Sequence, residues 1–246
     1  MTDTLQDKVA LVTGGSGGIG SETARRLAQR GAKVAVHYFH SKDDADRVVS
    51  EIKAAGGEAL AIQGNASVEA DCTRIIDETL SAFGALDILV NNAGISTFLE
   101  FGKISADDID REFGTNVRSV VLMTQAAAPH LKSGAKIVNV SSNIAYAPIP
   151  GLTVYCAAKA AVATLTKGLA RELGKQGITV NSVAPGVTET PMTAWIDQPT
   201  RDGMADETPL GRIAQPDDIA DIIIYLASPE SRWVNGQTIL ADGGLV

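Results

Sequence analysis

Cysteine and histidine are among the residues that this sequence has least of. Its 246 residues include two cysteines, Cys72 and Cys156, and three histidines. Two thiols cannot build a framework of disulfides, and these two do not form a C-x-x-C pair of the kind that holds zinc. The histidines do not form an H-E-x-x-H motif either. The sequence therefore predicts a protein of a reducing compartment, without a bound metal.

Basic charge and long apolar runs are also lacking. Lysine and arginine number 21 against 29 acidic residues, which gives a formal net charge of −8. A nucleic-acid-binding protein needs a basic face, so this balance argues against a nucleic-acid partner. No apolar run approaches the ~18 residues that a membrane span requires, and the first residues do not resemble a secretion signal. We expect a soluble, cytoplasmic protein.

What the sequence does contain is a regular alternation of short and long apolar segments, at 45% hydrophobic content. Short β-branched runs predict strands at 8–13, 33–38, 58–63, 86–90, 135–141, 178–184 and 237–241. Longer segments predict helices at 21–30, 43–55, 68–83, 107–131, about 154–174 and 215–227. Strands that alternate with helices indicate βαβ units and a parallel sheet. We therefore predict one α/β domain over residues 1–246, a doubly wound, seven-stranded parallel sheet with helices on both faces.

Glycines fill the turn after the first predicted strand. The segment Gly14-Gly15-Ser16-Gly17-Gly18-Ile19-Gly20 leads directly into a predicted helix. A strand, a glycine turn and a helix form the arrangement that binds a dinucleotide pyrophosphate, because glycine lets the backbone come close and the helix supplies free amides. Both the G-x-G-x-x-G and the T-G-x-x-x-G-x-G spacings fit. A glycine-rich turn without a ligand is the alternative.

Polar or turn-forming residues follow three later strands. Asn91-Asn92-Ala93-Gly94 ends the fourth, Ser142 follows the fifth, and Pro185-Gly186 follows the sixth. Ligands of doubly wound sheets bind outside the carboxyl ends of the strands, so these residues can line a nucleotide site. Ordinary turns use the same residue types. Asn116 lies inside a predicted helix, where asparagine is unfavourable, so it has either a local role or a tolerated cost.

Tyr155 and Lys159 are four residues apart, on one face of a predicted helix. A phenol titrates near ~10, and a nearby ammonium group favours the phenolate and lowers the phenol pKa. A general acid or base works best when its pKa lies near the working pH. The pair can therefore act as a tuned proton donor. An ordinary helix face with a tyrosine and a lysine is the alternative interpretation.

Residues 187–210 have an irregular pattern and contain three prolines. A long irregular segment in a compact domain is often a lid or a binding loop. We predict that this segment covers a substrate pocket lined also by Ile144, Ala145, Ile149 and Trp195.

Taken in order, six motifs of this chain resemble the short-chain dehydrogenase/reductase family. They are Thr13-Gly14-x-x-x-Gly18-x-Gly20, Asn91-Asn92-Ala93-Gly94, the set Asn116, Ser142, Tyr155 and Lys159, Pro185-Gly186 with Thr190, Val234-Asn235-Gly236-Gln237, and Asp242-Gly243-Gly244. The resemblance runs from Lys8 to Gly244, and the last two motifs resemble the 3-oxoacyl-acyl-carrier-protein reductase-like branch.

The resemblance implies a Rossmann fold, a catalytic tetrad and a bound nicotinamide cofactor. The tetrad consists of Asn116, Ser142, Tyr155 and Lys159. The implied cofactor-binding residues are Gly14, Ser16, Gly17, Gly18, Ile19, Gly20, Tyr38, His40, Ser41, Lys42, Asn65, Ala66, Asn92, Ala93, Gly94, Tyr155, Lys159, Pro185, Gly186, Val187, Thr188 and Thr190. Two residues depart from the pattern: Asn65 stands where the family commonly has Asp, and Gly17 stands where many NADP-dependent relatives have Arg or Lys.

The end of the second strand indicates which cofactor is used. Enzymes that use NAD place an acidic residue there, which holds the ribose hydroxyls and repels a 2′-phosphate. Tyr38 stands at that position, and His40, Ser41 and Lys42 follow with donors and a positive charge. We expect Asp43 and Asp44 to cap the next helix and face away. The sequence predicts NADPH over NADH, without excluding NAD.

The implied reaction interconverts a ketone and a secondary alcohol. In reduction, Tyr155 would protonate the carbonyl oxygen, Lys159 would lower the pKa of Tyr155 and hold the ribose, and Ser142 would donate to the same oxygen. Asn116 would position a water that resupplies the proton.

Three alternatives remain. A 3-oxoacyl-acyl-carrier-protein reductase needs a basic docking patch, for which the sequence offers Lys132, Lys136, Lys167 and Arg171. A non-catalytic dinucleotide-binding protein would have lost Tyr155 or Lys159, and a related lyase such as a dehalogenase tends to have Arg at the lysine position. We expect a small-molecule carbonyl substrate.

A homotetramer is also expected, because relatives pair through the helices that correspond to 107–131 and 154–173. These helices carry the small residues Ala126, Ala127, Ala128, Ala157, Ala158, Ala160, Ala161 and Ala163.

Overall fold

Seven parallel strands form the centre of the structure. A computed structural model describes residues 5–246; residues 1–4 of the predicted 1–246 domain lie outside the described part. The strands are β1 Val9–Val12, β2 Lys33–Tyr38, β3 Ala59–Gln63, β4 Ile88–Asn91, β5 Lys136–Val140, β6 Thr179–Pro185 and β7 Thr238–Ala241. Their order across the sheet is β3-β2-β1-β4-β5-β6-β7, and every pairing is parallel. The predicted doubly wound, seven-stranded sheet is confirmed.

Helices cover both faces of this sheet. They are α1 Gly18–Gln29, α2 Lys42–Ala54, α3 Glu69–Phe83, α4 Ala106–Phe113, α5 Ser119–Ala127, α6 Thr153–Leu173, α7 Gln198–Glu207 and α8 Pro216–Ala227. Successive side chains of a strand point to opposite faces: in β1, Val12 packs into a core with residues of α1, α2 and α8, whereas Leu11 packs with residues of α3, α5 and α6. From Leu5 to Val246, no helix has the length and apolar character needed to cross a membrane.

The chain reverses its direction of travel across the sheet between β1 and β4, so that a crevice opens where their carboxyl ends lie side by side. The hydroxyl of Thr13 accepts hydrogen bonds from the backbone N–H groups of Asn92 and Ala93, at 2.9 and 3.0 Å. The side-chain amide of Asn92 donates in return to the carbonyl oxygens of Thr13 and Gly14, at 3.0 and 3.1 Å. The two loops are therefore joined before any ligand binds.

Two predicted elements differ in the structure. The segment 107–131 is not one helix, because a π-helical turn at Gly114–Arg118 separates α4 from α5. The segment 187–210 is not irregular throughout, because it contains α7. The Asp197 side chain accepts a hydrogen bond from the N–H of Thr200, and Pro199 lies in the first turn, where its missing N–H costs nothing. One of the prolines that suggested irregular structure therefore marks the start of a helix.

Candidate active site

The glycine loop has a shape that non-glycine residues resist. Gly14 and Gly18 have φ angles of +62° and +52°, in the left-handed region that favours glycine. Gly20 has no room for a side chain, since a Cβ there would collide with the carbonyl oxygen of Gly14. Gly17 is the N-cap of α1, and no side chain of residues 5–246 caps it. The first amides of α1 therefore fit a pyrophosphate.

His37, which the sequence analysis did not single out, holds this loop from below. Its side chain is buried on β2, and Nδ1 accepts a hydrogen bond from the N–H of Gly14 at 3.2 Å. Its Nε2 lies 2.9 Å from the carbonyl oxygen of Gly64, at the end of β3. Since Gly14 offers a donor and Gly64 an acceptor, the two contacts fit the neutral ring with its proton on Nε2.

The residues predicted to select the cofactor begin α2. His40 and Ser41 are exposed, and Ser41 is the N-cap of the helix. Lys42 forms an ion pair with Asp46, one turn further on, which raises the pKa of Lys42. We had expected Asp43 and Asp44 to cap this helix, but they lie in its first turn instead. Tyr38 is buried in the core beside α2. His40, Ser41 and Lys42 therefore lie together at the start of α2, and Lys42 is already paired with Asp46.

Asn65 and Ala66 follow β3 on the same edge of the sheet. The side-chain oxygen of Asn65 accepts hydrogen bonds from the N–H and the hydroxyl of Ser67, at 3.0 and 2.7 Å. Its backbone N–H donates to Asp71 at 2.7 Å. The acceptor of Asn65 is therefore used within its own turn, which leaves the amide N–H groups for a ligand.

Ser142 and Tyr155 meet beside the carboxyl end of β5. Burial raises the pKa of Tyr155, the Glu112 carboxylate raises it further, and the Ser142 hydroxyl lowers it. We had expected a lowered pKa from Lys159, but the Lys159 ammonium lies beside the ring, with Nζ 5.6 Å from its centroid. Burial is the largest of these effects, and the hydrogen bond from Ser142 is the effect that lowers the pKa of Tyr155. Tyr155 is therefore uncharged at neutral pH.

Lys159 is buried under the same site. Its Nζ donates to the backbone oxygen of Val140 at 2.9 Å. Burial lowers the pKa of Lys159 to about 8, and Glu112 acts in the opposite direction. A Cβ on Gly94 would lie 3.3 Å from Nζ of Lys159 and 2.7 Å from Oδ1 of Asn116. A side chain at position 94 would therefore crowd Lys159 and Asn116, which explains the glycine at the last position of the strand-four motif.

Asn116 lies in the π-helical turn between α4 and α5. Such turns often occur at functional sites, because they displace one residue from the helical register. Asn116 donates to the carbonyl oxygen of Ile95 at 3.0 Å and accepts from the N–H of Ile95 at 3.2 Å. Its other amide proton goes to Glu112, at 2.8 Å. The asparagine that was unfavourable for a helix interior thus holds the segment after β4.

The segment after β6 closes over the glycine loop. A Cβ on Gly18 would lie 3.1 Å from Cγ2 of Thr190, and the hydroxyl of Thr188 donates to the carbonyl oxygen of Gly186 at 3.0 Å. Pro185 ends β6, and Val187 is half-buried. The residues expected at the nicotinamide end are therefore next to those expected at the pyrophosphate.

A mainly apolar cavity of about 300 Å³ lies beside this segment, under α7. Its apolar lining includes Ile144, Ile149, Val187, Met204, Leu210 and Leu245. Two of the four predicted pocket residues, Ile144 and Ile149, line it, whereas Ala145 and Trp195 do not, and the Trp195 side chain is largely exposed. The cavity is also lined by Asn143, the residue after Ser142, although Ser142 and Tyr155 do not line it themselves.

The structure brings the four predicted catalytic residues to one place, together with the predicted loops. The sequence did not indicate roles for Glu112 and His37. It included Thr13 in the glycine-loop motif but did not indicate the hydrogen bonds that Thr13 accepts from Asn92 and Ala93. A polar residue in the apolar stripe of its element was the signal available for each of them. His37, for example, interrupts the β-branched strand Lys33–Tyr38.

Comparisons with known proteins agree with this geometry. A family profile described as "Enoyl-(Acyl carrier protein) reductase" matches residues 14–246. An uncharacterized oxidoreductase of Methylorubrum extorquens is 43% identical over 98% of both chains. The 3-oxoacyl-[acyl-carrier-protein] reductase of Staphylococcus aureus is 42% identical over 97% of this chain and 98% of its own. A short-chain dehydrogenase from Burkholderia cenocepacia, solved in complex with NADP, is 42% identical with a TM-score of 0.94, over 98% of this chain and 99% of its own.

The chain therefore belongs to the short-chain dehydrogenase/reductase family of oxidoreductases. The resemblance inferred from six motifs is confirmed at the level of the family.

Proposed function

We propose that this protein reduces a small, uncharged ketone to a secondary alcohol, with NADPH as the hydride donor. The observation that carries this proposal is the meeting of Ser142, Tyr155 and Lys159 between a dinucleotide-binding loop and an apolar cavity. Each part alone occurs in proteins without this activity. Their contact in one crevice is what the reaction needs, because hydride donor, proton donor and carbonyl must meet.

The residues present fit the cofactor. The uncapped amides at the start of α1 would hold the pyrophosphate, and Lys159 would hold the ribose, as the resemblance implies. His40, Ser41 and Lys42 would hold the 2′-phosphate of NADP, the cofactor with which the Burkholderia cenocepacia relative was solved. We expect the remaining predicted contacts, from Asn65 and Ala66 to Thr190, to line the rest of the cofactor site. When bound, the nicotinamide supplies the hydride.

Tyr155 supplies the proton in this proposal. The phenol O–H bond breaks as the carbonyl oxygen takes the proton, so that hydride and proton together convert the ketone to the alcohol. The neutral phenol is the form required, and the raised pKa of Tyr155 favours it. Ser142 donates to the same oxygen. Lys159, with a pKa of about 8, is largely protonated at neutral pH and offsets the charge left on Tyr155. Asn116 holds the backbone of Ile95. It would also position the water that returns a proton to Tyr155.

The cavity indicates an uncharged, apolar substrate. Arg212 is the guanidinium that lines it, and Arg212 is paired with both oxygens of Asp218. Glu207 and Asp242 add carboxylates to the lining. An anionic substrate would therefore meet like charge without a free cation, whereas an apolar ketone would bury its surface against Ile149, Met204 and other apolar side chains.

Reduction of 3-oxoacyl groups on an acyl carrier protein is the second candidate, because of the similarity to the Staphylococcus aureus reductase. The four basic residues considered for docking are poorly placed for it. Lys136 begins β5 and Ser142 follows its end, so the two are ~20 Å apart along the strand. Lys167 lies twelve residues beyond Tyr155 on α6, ~18 Å away. These basic residues therefore belong to the far end of the sheet.

Steady-state kinetics with purified protein would test the proposal. We expect Tyr155→Phe to retain NADPH binding and to lose at least ~10²-fold in kcat, because only the transferable proton is removed. Tyr225→Phe is the matched control, since Tyr225 is partly exposed on α8. Turnover of Tyr155→Phe within threefold of wild type would contradict the role of Tyr155. Faster reduction of an acyl-carrier-protein thioester than of any free ketone would favour the second candidate.

A further inference from the structure

Glu112 is a fully buried carboxylate next to the candidate active site. It lies in the last turn of α4 and is 0% exposed. One oxygen accepts a hydrogen bond from the N–H of Thr97 at 2.8 Å, and the other accepts from the side-chain amide of Asn116 at 2.8 Å. Burying a charge is costly unless hydrogen bonds compensate it. Such a residue needs a reason, and a hydrophobic residue would serve simple packing better.

Its hydrogen bonds fix the Asn116 side chain in one orientation. Asn116 has two amide protons, of which one goes to Ile95 and one to Glu112. Because Glu112 accepts and does not donate, the amide cannot flip without placing its oxygen against a carboxylate oxygen. The contact from Thr97 extends the same frame to the loop after β4. Glu112 therefore joins the π-helical turn to the strand-four loop, around the space beside Gly94.

The charge of Glu112 also reaches the residues that move the proton. It raises the pKa of Lys159 and the pKa of Tyr155, because a nearby negative charge favours the protonated form of both. The Ser142 hydroxyl lowers the pKa of Tyr155, and Cys156 is the other titratable group that raises it. Burial acts on Lys159 in the opposite direction to Glu112. Glu112 thus partly restores the protonated lysine that burial disfavours.

We propose that Glu112 is a positioning residue of the active site, whose buried carboxylate holds Asn116 and the strand-four loop in place and favours the protonated form of Lys159. It touches neither the substrate cavity nor the glycine loop in the contacts described. Its role is exerted through Asn116, Lys159 and Tyr155. The inference rests on the proposed function of Tyr155 and Lys159.

The charge-removing variant Glu112→Gln tests this proposal through a pH profile of ketone reduction. Glutamine keeps the size of the side chain but has one acceptor oxygen for two N–H donors. Reduction requires protonated Tyr155 and Lys159, so the rate falls as pH rises through their pKa values. Removing the negative charge lowers both values, and we expect the alkaline limb of kcat to move to lower pH by about one unit. The NADPH KM should stay within about twofold of wild type.

Asp110→Asn is the matched control, because it removes the same charge from an exposed position on α4. It should leave the alkaline limb within ~0.2 units of wild type, as expected for a screened surface charge. A limb in Glu112→Gln that coincides with that of Asp110→Asn would overturn the proposal, whatever the change in kcat.

A second variant, Glu112→Asp, decides the matter if the glutamine variant does not fold. It retains the charge but is one methylene shorter, so it loses one of the two hydrogen bonds. We expect at least a ~10-fold lower kcat, with the alkaline limb unmoved and the NADPH KM within about twofold of wild type. Wild-type kcat in Glu112→Asp would contradict the positioning role. Tyr155→Phe in the same assays separates the two proposals: if it remains active, the proposed function fails, and if it is inactive while Glu112 variants behave as wild type, only this inference fails.

Discussion

The buried histidine beneath the glycine loop, His37, should contribute measurably to the stability of the fold. His37 is 2% exposed and joins the N–H of Gly14 to the carbonyl oxygen of Gly64. His37→Ala would remove both hydrogen bonds and leave the two backbone groups without partners in the interior. An unsatisfied buried group costs about 1–3 kcal/mol, so we expect about 3 kcal/mol in all. In a domain of this size that corresponds to a melting temperature lower by about 6–12 °C.

The pH dependence gives a second measure of the same contact. Burial lowers the pKa of His37, opposed by the hydrogen bond to Gly64 and by Asp71, while Arg74 lowers it further. The unfolded chain therefore binds this proton more readily than the folded one, below the ordinary value near ~6.5. The stabilisation is fully present above that pH and is lost as pH falls toward the lowered folded value. Wild type should lose stability in this window, relative to His37→Ala.

Thermal unfolding at a fixed protein concentration, at several pH values from 5 to 8, would measure both effects. The control is His130→Ala, at an exposed position, for which we expect a change within about 0.5 kcal/mol. The reasoning would be refuted by a His37→Ala melting temperature within about 2 °C of wild type at pH 8. A parallel pH dependence in wild type and variant would refute the protonation part alone.

Three further predictions concern the cofactor and the assembly. Gly20→Ala should weaken NADPH binding at least ~10-fold in a fluorescence titration, whereas Gly17→Ala, whose Cβ would meet nothing within 4 Å, should stay within about twofold. Lys42→Ala should raise the KM for NADPH more than the KM for NADH. Asp46→Asn removes the ion-pair partner of Lys42 and should lower the KM for NADPH by about two- to fivefold. Equal changes in the KM for both cofactors would contradict this prediction. Light scattering should give four times the chain mass, and a monomer would contradict the homotetramer.

The five central strands could be predicted closely because they are buried on both faces. A parallel strand between two helical layers has a largely apolar sequence, and Lys33–Tyr38 was predicted with the bounds that the structure shows. Helices covering such a sheet have amphipathic patterns that end at glycine, as at Gly84, which has a φ of +78°. These signals are local, so one sequence contains them in full.

The tetramer prediction used small residues whose environment the sequence does not reveal. Ala127, Ala158 and Ala163 are buried within the protomer, so they contact the protein's own core. Ala157 is exposed, and it is the residue of this group best placed to meet another chain. A small residue on a helix has the same appearance in the sequence whether it faces the sheet or a partner. Periodicity alone cannot separate the two, because both faces of α6 are rich in alanine.

Glu112 and His37 could not be predicted because their partners are distant in the sequence. Glu112 bonds Thr97, fifteen residues away, and His37 bonds Gly64, twenty-seven residues away. A single sequence shows a polar residue in an apolar stripe but not the backbone group that will face it. The raised pKa of Tyr155 has the same origin, because its largest cause is burial by tertiary packing.

The site combines a firmly held part, formed by β5 and α6, with a less constrained part, formed by α7. The hydroxyl of Ser141 donates to the backbone oxygen of Lys159 at 2.8 Å, and Lys159 donates to Val140 at 2.9 Å, so that β5 and α6 are joined by buried polar contacts. The cavity wall, by contrast, comes partly from α7, whose helix is 10 residues long and has no buried residue. Because few contacts hold α7, substitutions there can change which ketone fits while the proton donor stays in place. Differences between relatives in substrate should therefore concentrate in 187–210, and differences in rate at β5 and α6.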